Sequence, residues 1–213
     1  MLTTDPYNNG YGLRIPRGEI FSSVINHVKN STNEVNKAWK ILDIGCGLGA
    51  NARILEFFPN SIYVGIDLSP TAIERALESF KDSHAAIEFI CQDTLKFLRE
   101  STYLPDLVID SASLQHHLDP SNWQNQVRFL DELSQLLPSS TIFSQWASSA
   151  NAEMTKNFVN FVGYEDVEEI LRKFFLVTPY SIIETTYPER VSSEGIQLRI
   201  KEFVSILKRK PQK

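Results

Sequence analysis

From residue 40 onward one rhythm repeats: a short apolar run, a turn, then apolar residues at helical spacing. Lys40–Ile44 predicts a strand, the glycines after it a tight turn, and Ala50–Phe58 a helix. Ser61–Ile66 predicts the second strand. Ser69 is a capping residue, and Pro70 stands at the first helical position, where a missing N–H is harmless. That helix is expected to run to about Lys81. Ala86–Cys91, Asp106–Asp110 and Ser140–Gln145 predict three further strands, with helices at Asp93–Arg99 and Ser121–Leu137 between them. Alternating strand and helix signals imply βαβ units, hence a doubly wound parallel sheet with helices on both faces. The rhythm stops after Trp146. Residues 147–163 are polar with scattered aromatics, and a helix is expected at Glu165–Phe174, acidic at its start and basic at its end, as the backbone dipole favours. Phe175–Thr186 and Ile196–Lys208 read as strands joined by a short link, the pattern of an antiparallel pair. Upstream of residue 40, residues 1–20 are turn-rich, and a helix is expected at Glu19–Val28 with Ile20, Val24, Ile25 and Val28 on one side.

Length changes the picture little: 213 residues predict one domain with room for a lid. Its expected parts are an N-terminal cap (1–39), a core (40–146) and a C-terminal helix with a strand pair (147–213). Charge narrows the partners. With 21 basic and 26 acidic residues, the net −5 disfavours nucleic acid, which wants a basic face. No window approaches a membrane-spanning length of apolar residues. The first residues lack the basic start and apolar run of a secretory signal. Cys46 and Cys91 form no Cys-x-x-Cys pattern, so neither a disulfide framework nor a zinc cluster is expected. The expectation is a cytoplasmic protein without a metal, and of unknown oligomeric state.

Glycine is scarce, at nine residues, yet Gly45, Gly47 and Gly49 fall within five positions. They follow a predicted strand and open a predicted helix. Such a turn lets a ligand approach the backbone, beside the unpaired N–H groups of a helix start. The run also fits the dinucleotide fingerprint, as Gly45-Cys46-Gly47-Leu48-Gly49-Ala50, so two cofactors are in play. Asp67 ends the second strand, where a carboxylate can accept two hydrogen bonds from a ribose diol of either cofactor. Asp93 follows the third strand, within reach of an adenine amine. Asp43 lies inside the first strand, where a dinucleotide site wants an apolar residue and a cationic ligand suits a carboxylate.

Leu42-Asp43-Ile44-Gly45-Cys46-Gly47-Leu48-Gly49, Gly65-Ile66-Asp67-Leu68-Ser69, Gln92-Asp93, Asp106-Leu107-Val108-Ile109-Asp110-Ser111 and Leu114-Gln115-His116-His117-Leu118 stand in that order. Together they resemble the class I S-adenosylmethionine-dependent methyltransferases, over residues 40–146. The resemblance implies a seven-stranded, mostly parallel sheet whose last strand is antiparallel. It implies S-adenosylmethionine as cofactor and S-adenosylhomocysteine as product. By the same resemblance, Asp43, Gly45, Cys46, Gly47 and Gly49 lie under the methionine moiety, Asp67 holds the ribose and Leu68 packs on the adenine. Asp93 reads the adenine amine, and Gln92, Thr94 and Asp110 complete the cofactor site. Arg14 or Arg17 can pair with the cofactor carboxylate. One departure is Leu136-Leu137-Pro138-Ser139-Ser140, where many relatives carry Pro-Gly-Gly; a different turn is expected there with the site intact.

The chemistry so implied is displacement at a sulfonium methyl carbon, in which the protein aligns the nucleophile and excludes water. A general base is needed only for an acceptor that arrives protonated. His116, His117, Asp110 and Tyr11 are the candidates, and a packing role for the histidines competes with the catalytic one. Asp110-Ser111-Ala112-Ser113 lacks the Asn/Asp-Pro-Pro-Tyr/Phe signature of relatives that methylate base amines or glutamine amides. The expected acceptor is a small molecule methylated on oxygen or nitrogen. RNA or protein methylation is the alternative within the fold, and a nicotinamide oxidoreductase the one outside it.

Overall fold

The computed structural model describes residues 18–31, 37–111, 113, 123–150, 169, 171–191 and 197–210. The elements are α1 (Gly18–Ser31), β1 (Lys40–Ile44), a 3-10 helix (Ala50–Glu56), β2 (Ile62–Asp67), α2 (Pro70–Phe80), β3 (Ala86–Cys91) and α3 (Thr94–Glu100). They continue as β4 (Leu107–Ser111), α4 (Trp123–Leu136), β5 (Ile142–Ala150), β6 (Phe175–Val191) and β7 (Gln197–Arg209). One seven-stranded sheet has the order β3-β2-β1-β4-β5-β7-β6. β1 to β5 pair in parallel, and β7 runs antiparallel to both β5 and β6. This is the doubly wound, mostly parallel sheet with a reversed last strand that the alternation and the resemblance imply.

Strand periodicity sorts the core into two layers. Leu42, Ile44, Val64, Ile66, Val108 and Phe143 meet Leu95 and Leu98 of α3 and Leu130 and Leu133 of α4. On the other face, Ile41, Tyr63, Ile109, Ile142 and Ile206 meet Ile20, Phe21, Val24 and Val28 of α1. All four of those α1 side chains are at most 7% exposed, and burying each contributes about 1.5–3 kcal/mol. Ser23 sits in this layer with its hydroxyl on the Ile20 carbonyl (2.7 Å) and against Ser144 Oγ (3.1 Å). The described part of the expected N-terminal cap is thus a core helix.

Three elements differ from expectation for physical reasons. Ala50–Glu56 is a 3-10 helix, whose Ala50, Asn51, Ala52 and Ile54 are all buried. Arg53 and Glu56 face solvent, and so short a segment leaving a left-handed Gly49 takes the tighter 3-10 geometry. β5 runs on to Ala150, because Ala147 to Ala150 pair with Phe203 to Ile200 of β7, contacts invisible to local polarity. β6 continues through Pro179 and Pro188, which is tolerated because it is the outermost strand and its register shifts at Pro179/Ser181 and Tyr187/Val191. The Leu136–Ser140 departure forms a turn in which Thr141 N donates to the Pro138 carbonyl (3.0 Å). The expected helix Glu165–Phe174 is described at residues 169 and 171–174 only. Among the described residues, no helix is long and apolar enough to cross a membrane.

Candidate functional site

β1, β2, β3 and β4 are parallel, so their carboxyl ends share one edge of the sheet, where ligands bind in open α/β folds. The glycine turn leaves β1 at this edge. Gly45, Gly47 and Gly49 have φ of 62°, 53° and 76°, a left-handed conformation costly for any other residue except asparagine. Space adds a second reason. A Cβ on Gly45 would lie 2.2 Å from Ser113 Oγ, and one on Gly49 would lie 2.6 Å from the Phe89 ring.

The turn is braced from several sides. Cys46 N donates to the Ile66 carbonyl and Gly49 N to the Cys46 carbonyl, both at 2.9 Å. Gly47 N donates to Asp67 Oδ2 (2.9 Å), while Ser69 N donates to Asp67 Oδ1 (2.9 Å). Asp67 therefore links the loop to the start of α2, with 9% of its surface exposed. Next to it Leu68 is 61% exposed, an apolar side chain presented at a polar edge.

Asp43 lies below the turn with no exposure. Tyr63 Oη donates to Asp43 Oδ2, and Asn51 Nδ2 lies 3.4 and 3.2 Å from its two oxygens. Burial pushes the Asp43 carboxyl up to about 7, against the pull of the Tyr63 and Asn51 hydrogen bonds; Asp110 and Asp67 add to the rise. Burial first, and Asp43 second, raise the Tyr63 hydroxyl well above its usual range.

Asp93 caps α3, accepting from Lys96 N through Oδ1 (2.8 Å). Gln92 N donates to the Asp67 carbonyl (3.0 Å), and its side-chain amide donates to Glu100 (3.2 Å). Thr94 is buried in the first turn of α3. Asp110 is fully buried and accepts from Ser113 N (2.8 Å). The structure brings Asp43, Gly45, Gly47, Gly49, Asp67, Leu68, Gln92, Asp93, Thr94 and Asp110 to one edge. Cys46 joins them by its backbone, while its side chain turns inward over Gly65, where a Cβ would lie 2.9 Å from Cys46 Cβ and Sγ. Tyr11, Arg14, Arg17, His116 and His117 lie outside the described residues. Of the other histidines expected at the surface, His84 is exposed, but His27 is half-buried, its pKa lowered by desolvation and by Lys208.

Two residues, Tyr63 and Asn51, escaped the sequence reading. Tyr63 and Asn51 face Asp43 across a sequence gap no motif bridges. Ser111, at the end of β4, has its hydroxyl buried with no hydrogen-bond partner among the described residues. A cavity of about 320 Å³ lined by Leu55, Phe58, Asn60, Ser61 and His84 lies at the amino ends of β2 and β3, the opposite edge.

The sheet order, the reversed β7 and the left-handed glycine turn define a class I S-adenosylmethionine-dependent methyltransferase fold. Residues 41–139 match the family model of the methyltransferase domain. The chain is 29% identical over 155 residues to malonyl-[acyl-carrier protein] O-methyltransferase 1 of Ilyobacter polytropus, covering 66% of this chain and 54% of that protein. It is 31% identical over 106 residues to a sterol 24-C-methyltransferase of Debaryomyces hansenii, covering 46% and 26%. The chain thus spans about half or less of the length of these curated relatives. Among solved structures, the YcgJ protein of Bacillus subtilis superposes with a TM-score of 0.66 at 13% identity, covering 92% of this chain and all of that one. The N-methyltransferase NodS of Bradyrhizobium japonicum, in complex with S-adenosylhomocysteine, gives 0.53 at 19% identity, covering 87% of each.

Proposed function

We propose that this chain binds S-adenosylmethionine at the glycine turn and moves its methyl group to an oxygen or nitrogen of a small-molecule acceptor. The observation that carries this reading is the turn itself: three left-handed glycines joined to Asp67 through Gly47 N, at the carboxyl edge of the sheet. Bound S-adenosylmethionine supplies a methyl carbon already activated on a sulfonium. The chain's own residues bind, orient and exclude water. Gly45, Gly47 and Gly49 keep the backbone low enough for close approach. Asp67 accepts from the ribose diol, and exposed Leu68 offers an apolar surface to the adenine. Asp93 Oδ2 accepts from the adenine amine while Oδ1 holds α3. Gln92 and Thr94 flank that end, and Arg14 pairs with the cofactor carboxylate.

Asp110 is occupied by Ser113 N and wholly buried, so it braces the turn after β4 in preference to taking a proton from an acceptor. His116, His117 and Tyr11 remain the candidate bases. A base is dispensable for a carboxylate acceptor, the kind of oxygen a malonyl group presents in the O-methyltransferase relative.

Titration calorimetry with S-adenosylmethionine and S-adenosylhomocysteine tests the cofactor, with micromolar-range binding of both as the expected result. Absence of binding by either would sink the proposal, and a thermal shift with NADH instead would favour the oxidoreductase. A panel of malonyl thioesters, phenols and amines, read by methyl transfer, then sorts the acceptor atom.

A further inference from the structure

Asp43 stands two residues before the glycine turn, with Tyr63 reaching it from β2 and Asn51 from the 3-10 helix. Tyr63 is itself locked: it is fully buried, and its ring packs edge-on against Phe89 at 5.9 Å. Phe89 in turn is the side chain that forbids a Cβ at Gly49. The donors, the carboxylate and the turn are therefore one packed unit. Asn51 is 5% exposed, so both donors act away from water.

Charge in this unit is one-sided. Among the described residues, the ionisable groups acting on Asp43 are Tyr63 of β2, Asp67 at the end of β2, Asp110 of β4 and Cys46 of the turn, all neutral or anionic. An anion here is held by two neutral donors and by whatever cation binds the turn. S-adenosylmethionine carries one more positive charge, on sulfur, than its demethylated product.

We propose that Tyr63 and Asn51 are positioning residues for the cofactor site, which hold Asp43 ionised beneath the glycine turn and so favour the cationic cofactor over its neutral-sulfur product. This rests on the cofactor reading above. Hydrogen bonds to a carboxylate favour its charged form, and removing one moves ionisation to higher pH. Burial pushes the Asp43 carboxyl up to about 7, so the effect falls within an accessible range.

The test is calorimetry with S-adenosylmethionine and S-adenosylhomocysteine from pH 6 to 8.5, on the full chain and on Tyr63→Phe. The wild-type preference for S-adenosylmethionine should grow as pH rises through Asp43 ionisation. Tyr63→Phe should move that rise upward by about one pH unit, equivalent to roughly fivefold weaker S-adenosylmethionine binding at pH 7, with recovery to within about twofold at pH 8.5. S-adenosylhomocysteine should lose less. Asn51→Ala should act in the same direction, and keeps the test open if Tyr63→Phe fails to fold. In an Asp43→Asn background, Tyr63→Phe should change neither the ratio nor its pH dependence. Parallel losses for both ligands at every pH, or an unmoved pH profile, would overturn the inference and leave the cofactor reading standing. Binding of neither ligand by the wild type would overturn both.

Discussion

Asp67 joins the loop, the strand end and α2 through one carboxylate, so its removal should act twice. Asp67→Ala leaves Gly47 N and Ser69 N without their acceptor, at a cost of about 1–3 kcal/mol in unfolding free energy. It also removes the proposed ribose acceptor, so calorimetry should show S-adenosylmethionine affinity falling about a hundredfold, the roughly 2.7 kcal/mol of two charge-assisted hydrogen bonds. Urea unfolding separates the two effects. Gly49→Ala is a purer structural test. Its φ of 76° and the Phe89 ring 2.6 Å from the new Cβ both oppose the methyl group. A loss of about 2–4 kcal/mol is expected, and Phe89→Leu should restore only the part owed to crowding, since the backbone strain stays. The acids at the strand ends and the three glycines were legible in the sequence because each stands at a motif position. Tyr63 and Asn51 were not: a tyrosine inside a strand looks like core, and only the fold brings its hydroxyl to Asp43.

At the scale of elements, β1 to β4 and their helices follow from apolar runs and local caps, and Ser69 shows why. Its hydroxyl accepts from Ala72 N (3.0 Å), a bond written within four residues of sequence. The ends of β5 and β6 are written elsewhere in the chain, in the ladders with β7. Their polar and proline-bearing stretches become strands because a partner is present, which no local pattern reveals. Asp93 belongs to both kinds. It is a helix cap by sequence and geometry, and a cofactor contact only by proposal. Substitution can part the two roles. Asp93→Ala should lower stability by about 1 kcal/mol through the lost cap, and weaken S-adenosylmethionine binding. Asp93→Asn keeps a capping oxygen and should hold stability within about 0.5 kcal/mol, while losing several-fold in affinity where the charge strengthens the adenine contact. Paired chemical unfolding and calorimetry measure both. Equal affinity for wild type and Asp93→Asn would confine this residue to its capping role.

Across the whole molecule, the buried acid beneath the glycine turn places the site in tension with the fold. Asp43 has its folded pKa raised to about 7, whereas in the unfolded chain a carboxyl of this kind ionises near 4. Between those values the folded state holds a proton that the unfolded state has released. Stability of the empty protein therefore falls as pH rises through this window, by about 1.4 kcal/mol per pH unit from this group, and levels off above the folded pKa. The direction is opposite to that of an ordinary ion-paired carboxylate, which loses stability on acidification. Asp43→Asn removes the titration and should flatten the profile, leaving the variant similar to wild type near pH 5 and more stable near pH 8. Urea midpoints across pH 5–8 for the two proteins measure the difference, and parallel profiles would show that Asp43 ionises normally when folded. A cationic ligand reverses the preference by favouring the anion. Wild type with saturating S-adenosylmethionine should accordingly recover more stability at pH 8 than at pH 6, whereas Asp43→Asn should recover about the same at both. The same carboxylate that costs the empty chain stability would then be what a cationic ligand finds already in place.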